Sequence, residues 1–406
     1  RGVRASVSDF VGPDNAVLPA AAAEIRQVRY VNITLPTDGL GMPGLWPDPL
    51  VPIGPEGVDV PARLNQPFWI LIRAPKGQRP GLYRGTIAFT SENWRGEVPI
   101  EVRVYGFDLP DRKTCVSAFG FSIGTAFQYQ NISDEADKRK VLDMYLKVLS
   151  EHHISPYDPA PLDSYEVVWP EVNPAAPPEN PENLQVTIRW ERWINEMRRV
   201  LETFHFNSFT VQSHGMGGGT VFGRTEAILL GFPESSPVYQ HLFKSYWQQL
   251  EQRLREEGWL DYAYIYWFDE PDPKDYEFVS RGFQRLKAAA PDIHRMLTEE
   301  IHEELIGGPD IWCPLTPMYR EDAARARQAL GEKIWWYVCT GPKAPYATLF
   351  IDHPGTEMRV WLWQTWQRNI DGILIWATNY WTSPEAYPDA LQNPYEDPMS
   401  WTTSYG

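Results

Sequence analysis

Three apolar runs stand out within residues 1–110: Phe68–Ala74, Leu82–Ser91 and Val98–Phe107, each rich in β-branched and aromatic residues. Turn clusters separate them, first Pro75-Lys76-Gly77 and Pro80-Gly81, then Ser91-Glu92-Asn93. Apart from a short alanine run at Ala20–Ala23, no helical spacing of useful length occurs there. The pattern predicts an N-terminal β-sandwich over residues 1–110, ended by Asp108-Leu109-Pro110-Asp111.

From residue 111 onward the pattern alternates. Strand candidates are Val116–Ser122, His153–Tyr157, Ser208–Gln212, Tyr262–Phe268, His294–Leu297, Ile311–Leu315, Ile334–Cys339 and Gly372–Ala377. Between them lie amphipathic stretches at Glu135–Ser150, Trp190–Thr203, Pro237–Glu257, Tyr276–Ala290, Glu321–Leu330 and Thr356–Arg368. Val141, Met144, Tyr145 and Val148 show the three- and four-residue spacing that places apolar side chains on one helix face. Eight strands with helices between them predict an α/β fold, a (β/α)8 TIM-like barrel over residues 111–406. The alternative, a doubly wound open sheet, lacks its phosphate fingerprint. Gly215-Met216-Gly217-Gly218-Gly219 has no GxGxxG spacing and no following Lys-Ser/Thr, and reads as a flexible loop.

A barrel concentrates function on the loops that follow its strands. Here Ser155–Pro181 is proline-rich and follows the second strand, Ser213-His214-Gly215 the third, Thr340–Pro354 the seventh and Thr378–Trp401 the eighth. The first of these reads as a wall of the site. Charge narrows the choice of ligand: 37 Lys and Arg against 53 Asp and Glu give a net charge of −16, with a pI near 5.0. So acidic a chain is poorly suited to nucleic acid or an anionic membrane surface and favours a neutral or cationic substrate. No apolar stretch approaches the roughly 18 residues of a membrane span. Cys115, Cys313 and Cys339 are scattered, without a CxxC pair, and read as buried thiols. The 18 tryptophans suit stacking on sugar rings, although a large aromatic core would absorb most of them.

The strongest chemical signal is Tyr264-Ile265-Tyr266-Trp267-Phe268-Asp269-Glu270-Pro271. Two adjacent carboxylates close an aromatic strand, where mutual repulsion and burial drive their proton affinities apart. Such divergence is what glycoside cleavage uses, one acid protonating the leaving oxygen and one stabilising positive charge. A solvated strand end capping the next helix accounts for the same residues equally well. The seventh strand ends Tyr337-Val338-Cys339-Thr340-Gly341, with no carboxylate to serve as a nucleophile. Adjacent acids on one strand end point instead to attack by a substrate's own 2-acetamido group.

The chain resembles glycoside hydrolase family 123, whose characterised members are retaining β-N-acetylgalactosaminidases, and the wider set of uncharacterised proteins that share its catalytic domain. The resemblance rests on Asn65–Ile70, Pro80–Gly85, Phe107–Pro110, Trp267–Pro271, Trp335–Cys339 and Asp371–Trp376, in that order over nearly the whole chain. It implies the β-sandwich and barrel, no metal or cofactor, Asp269 polarising the acetamido group, and Glu270 as general acid/base through an oxazolinium intermediate. It also implies chain before residue 1 and beyond residue 406, where the barrel's closing segment would lie.

Around the acids, the candidate substrate-binding residues are His214, Trp267, Tyr337, Trp376, Asn379 and Trp381. His214 is placed to bond a sugar hydroxyl, Tyr337 to donate to the acetamido oxygen, Asn379 to hold a hydroxyl, and a tryptophan of the eighth-strand group to stack on the sugar's apolar face. Two other readings stay open at this point. One is a conventional glycosidase of a neutral polysaccharide using Glu270 with Glu299 or Glu300. The other is a non-catalytic carbohydrate-binding or assembly protein of the same fold. In every case the partner is a glycan or glycoconjugate. A degradative glycosidase is expected outside the cytoplasm, secreted or periplasmic.

Overall fold

A computed structural model describes residues 1–219, 223–382, 390–396 and 398. The chain forms two compact units. The first contains residues 1–111 and takes in 350–352 and the described residues from 381 onward. The second consists of residues 112–349 and 353–380. Part of the Thr378–Trp401 loop (383–389, 397 and 399–401) lies outside the described residues. Among the described residues no helix is long and apolar enough to cross a membrane.

The first unit is all β. Its strands are β1 (Arg4–Val7), β2 (Phe10–Val11), β3 (Val17–Leu18), β4 (Ala23–Ile33), β5 (Gly44–Pro52), β6 (Phe68–Ile72), β7 (Gly81–Ser91) and β8 (Trp94–Val104). They make two antiparallel sheets, one of β1, β2, β3, β7 and β8 and one of β5-β4-β6. Phe10, Leu18 and Tyr83 are buried between them against Ala23 and Ile72. Phe68 of β6 meets Phe89 of β7 with ring centroids 5.0 Å apart. The alanine run is a single 3-10 turn leading into β4, since a β-branched segment follows it and outweighs its helical preference. Asp352, far along the chain, is buried in this unit and accepts hydrogen bonds from the N–H and hydroxyl of Thr37, at 2.8 and 2.7 Å.

The second unit runs β9 (Val116–Phe119), α1 (Ile123–Gln130), α2 (Glu135–Glu151), β10 (Glu166–Val168), β11 (Thr187–Arg189), α3 (Glu191–Phe204), β12 (Phe209–Thr210), β13 (Ile228–Leu229), β14 (Phe232–Pro233) and α4 (Pro237–Glu256). It continues with β15 (Ala263–Asp269), α5 (Tyr276–Ala289), β16 (His294–Thr298), β17 (Ile311–Trp312), α6 (Glu321–Gln328), β18 (Lys333–Tyr337), α7 (Thr356–Gln367) and β19 (Gly372–Ile375). Seven of these strands form one parallel sheet in the order β12-β15-β16-β17-β18-β19-β9, a nearly closed barrel with helices around it.

The expected second strand, His153–Tyr157, is the exception. His153 has φ +63°, and Pro156 has no N–H to give to a ladder. The segment nevertheless spans the gap between β9 and β12. Phe119 N–H donates to Ser155 O (3.0 Å), Tyr157 N–H to Phe119 O (2.9 Å) and Thr210 N–H to Tyr157 O (2.8 Å). Polar side chains supply what the backbone cannot: Ser155 N–H donates to Ser117 Oγ, and Asn207 N–H to Ser155 Oγ.

Helix faces follow the sequence spacing. On α3 the buried residues Trp193, Ile194, Met197, Val200, Leu201 and Phe204 recur at helical intervals. The core takes up part of the aromatic excess: Trp193, Trp247, Trp259, Trp312, Trp335, Trp336 and Trp361 are buried, while Trp69, Trp94, Trp363 and Trp366 are exposed. Of the three cysteines, which are all free, only Cys313 is fully buried; Cys115 is exposed, beside the chain's entry into β9.

Candidate active site

Asp269 is the last residue of β15, and the strand's geometry is irregular just before it. Tyr266 pairs with Met296 of β16 and Asp269 with Thr298, so three steps along β15 match two along β16. In a regular strand residues three apart face opposite sides; the extra residue of this bulge restores a common face. As a result Tyr266 donates its hydroxyl to Asp269 Oδ1 at 2.6 Å, and Thr298 donates to the same oxygen at 2.5 Å. Both donors go to Oδ1, and no described residue donates to Oδ2.

Glu270 would face away from Asp269 if the strand continued. Instead it has φ +45°, the left-handed conformation that glycine favours, and its N–H donates to Thr298 O at 3.1 Å and more weakly to Thr298 Oγ1 at 3.3 Å. The turn sends its carboxylate across the barrel mouth to β18, where Tyr337 donates its hydroxyl to Glu270 Oε1. The turn thereby keeps Glu270, which lies past the end of β15, at the same end of the barrel as Asp269. Burial lifts the Glu270 carboxyl above the ordinary glutamate range; the Tyr337 hydroxyl opposes the rise, while the charges of Asp269 and Glu300 add to it. The rise favours the protonated form of the Glu270 carboxyl.

The glycine run 215–219 is packed, not slack. Gly219 O accepts the Asp269 N–H at 2.5 Å, and Gly217 O accepts the Trp267 indole N–H at 2.9 Å. A Cβ on Gly219 would lie 2.6 Å from Trp267 O, so a side chain there would push the loop off the strand that carries the acids. Trp267 is therefore held by the loop through its polar edge.

The remaining sequence candidates divide. His214 lies at the end of the third barrel position between Trp169 and Tyr246, with ring centroids 5.5 and 4.9 Å away. Its Nε2 is buried without a hydrogen-bond partner among the described residues, and desolvation lowers its proton affinity, favouring the neutral form. Trp169 belongs to the proline-rich stretch after the second position, so that stretch packs onto the end of the third. Tyr337 meets Glu270 through its hydroxyl. In place of the expected sugar hydroxyl, Asn379 accepts the Ser122 N–H at 2.9 Å and donates to Ser122 O at 2.7 Å. With both polar atoms bonded to the backbone and the residue buried, Asn379 ties the chain after β19 to that after β9. Trp376 packs against Tyr380, centroids 4.9 Å apart, and Trp381 falls in the first unit.

Glu299 and Glu300 follow β16. Tyr276 donates to Glu299 Oε1 at 3.3 Å, and His302 Nε2 lies 3.5 Å from Glu299 and 3.6 Å from Glu300. Burial and the neighbouring Glu300 raise the Glu299 carboxyl well above its usual range, which disfavours the ionised form a nucleophile needs. These three residues are the one grouping among the described residues whose ligand atoms all lie within 4.8 Å, as a cation would require.

Replacing Tyr337 by phenylalanine removes a donor that favours the ionised form of Glu270. The carboxyl then rises further, and the basic limb of the kcat/KM profile is expected to move to higher pH, with kcat reduced about tenfold. A pH–rate series on the two proteins reads this directly; an unmoved basic limb would mean that Glu270 is not the group titrating there.

The sequence matches the model described as Glycoside hydrolase 123, catalytic domain, over residues 188–405. It matches Glycoside hydrolase 123 N-terminal domain over residues 1–91. No curated protein matches it. Among solved structures, a family 123 glycoside hydrolase from Clostridium perfringens, studied for glycolipid glycan hydrolysis, aligns at 16% identity and a TM-score of 0.67 over 97% of this chain and 71% of its own. A Parabacteroides merdae β-glucuronidase aligns at 8% identity and a TM-score of 0.31, over 93% of this chain and 47% of its own. An endo-β1,6-glucanase aligns at 12% identity and a TM-score of 0.35, over 70% of this chain and 71% of its own.

Proposed function

The chain belongs to glycoside hydrolase family 123, and on that premise we propose that it cleaves a terminal β-linked N-acetylhexosamine, N-acetylgalactosamine first, with retention of configuration. The observation that carries this reading is the different fastening of two neighbouring acids: Asp269 Oδ1 receives two hydroxyl donors, while burial raises Glu270. Asp269 Oδ2 accepts the acetamido N–H and turns the acetamido oxygen toward C1. Glu270 protonates the glycosidic oxygen as the C1–O bond breaks and the acetamido oxygen closes an oxazolinium ring. Glu270, now ionised, takes a proton from water, which opens the ring at C1 and restores the acetamide. The substrate, one water and these side chains close the balance. Glycolipid glycans, the substrates studied for the Clostridium perfringens protein, are one candidate source of such a sugar, and a protein that degrades them would act outside the cytoplasm.

The test compares nitrophenyl β-N-acetylgalactosaminide with nitrophenyl β-galactoside, on the wild-type protein and on Glu299→Gln. Turnover of the acetamido sugar alone, kept within about threefold in the variant, is expected. Equal turnover of both sugars would overturn acetamido assistance. Loss of activity in Glu299→Gln with turnover of the plain galactoside would support the conventional two-carboxylate mechanism, and ligand binding without hydrolysis a carbohydrate-binding protein.

A further inference from the structure

Thr298 is buried at the C-terminal end of β16 and touches both acids through different atoms. Its hydroxyl donates to Asp269 Oδ1 at 2.5 Å, and its carbonyl accepts the Glu270 N–H at 3.1 Å. The hydroxyl oxygen also lies 3.3 Å from that N–H, which aligns its own hydrogen toward Asp269. We infer that Thr298 is a positioning residue for the hydrolytic reaction, fixing the rotation of the Asp269 carboxylate so that Oδ2 meets the substrate, and that its hydroxyl rather than its bulk does this. The inference deepens the proposed function and rests on it for the role of Asp269.

The geometry separates the side chain from the backbone. Valine keeps the shape of threonine and its carbonyl, so the Glu270 N–H keeps its nearer acceptor; only the bond to Asp269 is lost. Tyr266 still holds Oδ1 but as a single pivot, about which the carboxylate can swing. A misplacement of that kind acts on the attacking acetamide and not on proton delivery to the leaving group. The loss is therefore the same for a nitrophenyl and an unactivated aglycone, unlike a loss at Glu270.

The experiment measures kcat and KM for wild type, Thr298→Val and Thr298→Ser on nitrophenyl and methyl glycosides of the sugar the wild type hydrolyses. Thr298→Val is expected to lose about 30-fold in kcat with KM within about threefold, equally on both aglycones, and Thr298→Ser to stay near wild type. Wild-type kcat in Thr298→Val, or an equal loss in Thr298→Ser, would overturn the inference. If Thr298→Val does not fold, Thr298→Ala carries the same expectation. Wild-type turnover of plain glycosides but not acetamido sugars would defeat the acetamido reading alone, and the valine and serine pair on those glycosides still decides the role of Thr298. No turnover of any glycoside would overturn both.

Discussion

Glu270→Gln is expected to lower kcat on an unactivated N-acetylhexosaminide by on the order of 10³-fold, the scale of a lost general acid. Glutamine fits the same left-handed backbone position about as well as glutamate and can still accept from Tyr337, so the protein keeps its fold and loses only a transferable proton. The loss should shrink as the leaving group becomes more acidic, because a nitrophenolate departs with little protonation. The basic limb of the pH profile should vanish with it, since that limb reports the buried carboxyl of Glu270 releasing its proton. Steady-state rates on a series of aryl and alkyl glycosides check both points. A uniform loss across the series, with the basic limb intact, would move the acid role elsewhere.

The second large effect lies at the opposite end of the barrel. Arg295, the second residue of β16, is 1% exposed. Its Nη2 donates to Asp310 Oδ1 at 2.8 Å, Nε to Gly308 O at 3.2 Å, and Nη1 to Ile293 O and Pro291 O at 3.2 and 3.3 Å. The Arg295 N–H also donates to Asp310 Oδ2 at 3.0 Å. Methionine at 295 fills much of the volume but leaves the Asp310 carboxylate only the backbone N–H of residue 295, and several carbonyls without their donor. The guanidinium is buried but its partner carboxylate is 30% exposed, so removing the guanidinium costs about 2–3 kcal/mol, below the range for a fully buried pair. Thermal unfolding should show a fall in Tm on the order of 10 °C, with kcat per folded molecule unchanged, because this end of β16 lies away from Thr298. Adding Asp310→Leu should recover part of the loss by removing the stranded charge. A variant as stable as wild type would show that water reaches the pair.

These two residues also mark how far the sequence was legible. The acids at 269–270 could be found because a charged pair closing an apolar strand violates the surrounding pattern. Apolar runs located β15, β18 and β19, because strands buried on both faces carry little polar alternation. The partners of the acids were not legible. Tyr266 and Asp269 share a face only because of a bulge, and no composition signal marks one; Thr298 reads as an ordinary strand end. The contact of Tyr337 with Glu270 is not legible either, since it depends on the left-handed turn at Glu270. Asn379 illustrates the converse. A polar residue at a strand end is equally at home holding a sugar or the backbone, and Ser122 decides between them. In the first unit the short strands β1, β2 and β3 fall below the length at which alternation is detectable, and the return of 350–352 to that unit depends on Asp352 meeting Thr37 across 315 residues of sequence.

The left-handed backbone at Glu270 has a consequence for how stability and chemistry compete in this chain. A side chain at that angle costs about 1 kcal/mol or more relative to glycine. The fold would be better served by glycine there and the reaction would be abolished by it. Selection for stability alone would therefore erase this acid, and a tougher protein carrying glycine at 270 would be a sugar-binding remnant of a hydrolase, intact in shape and silent in turnover.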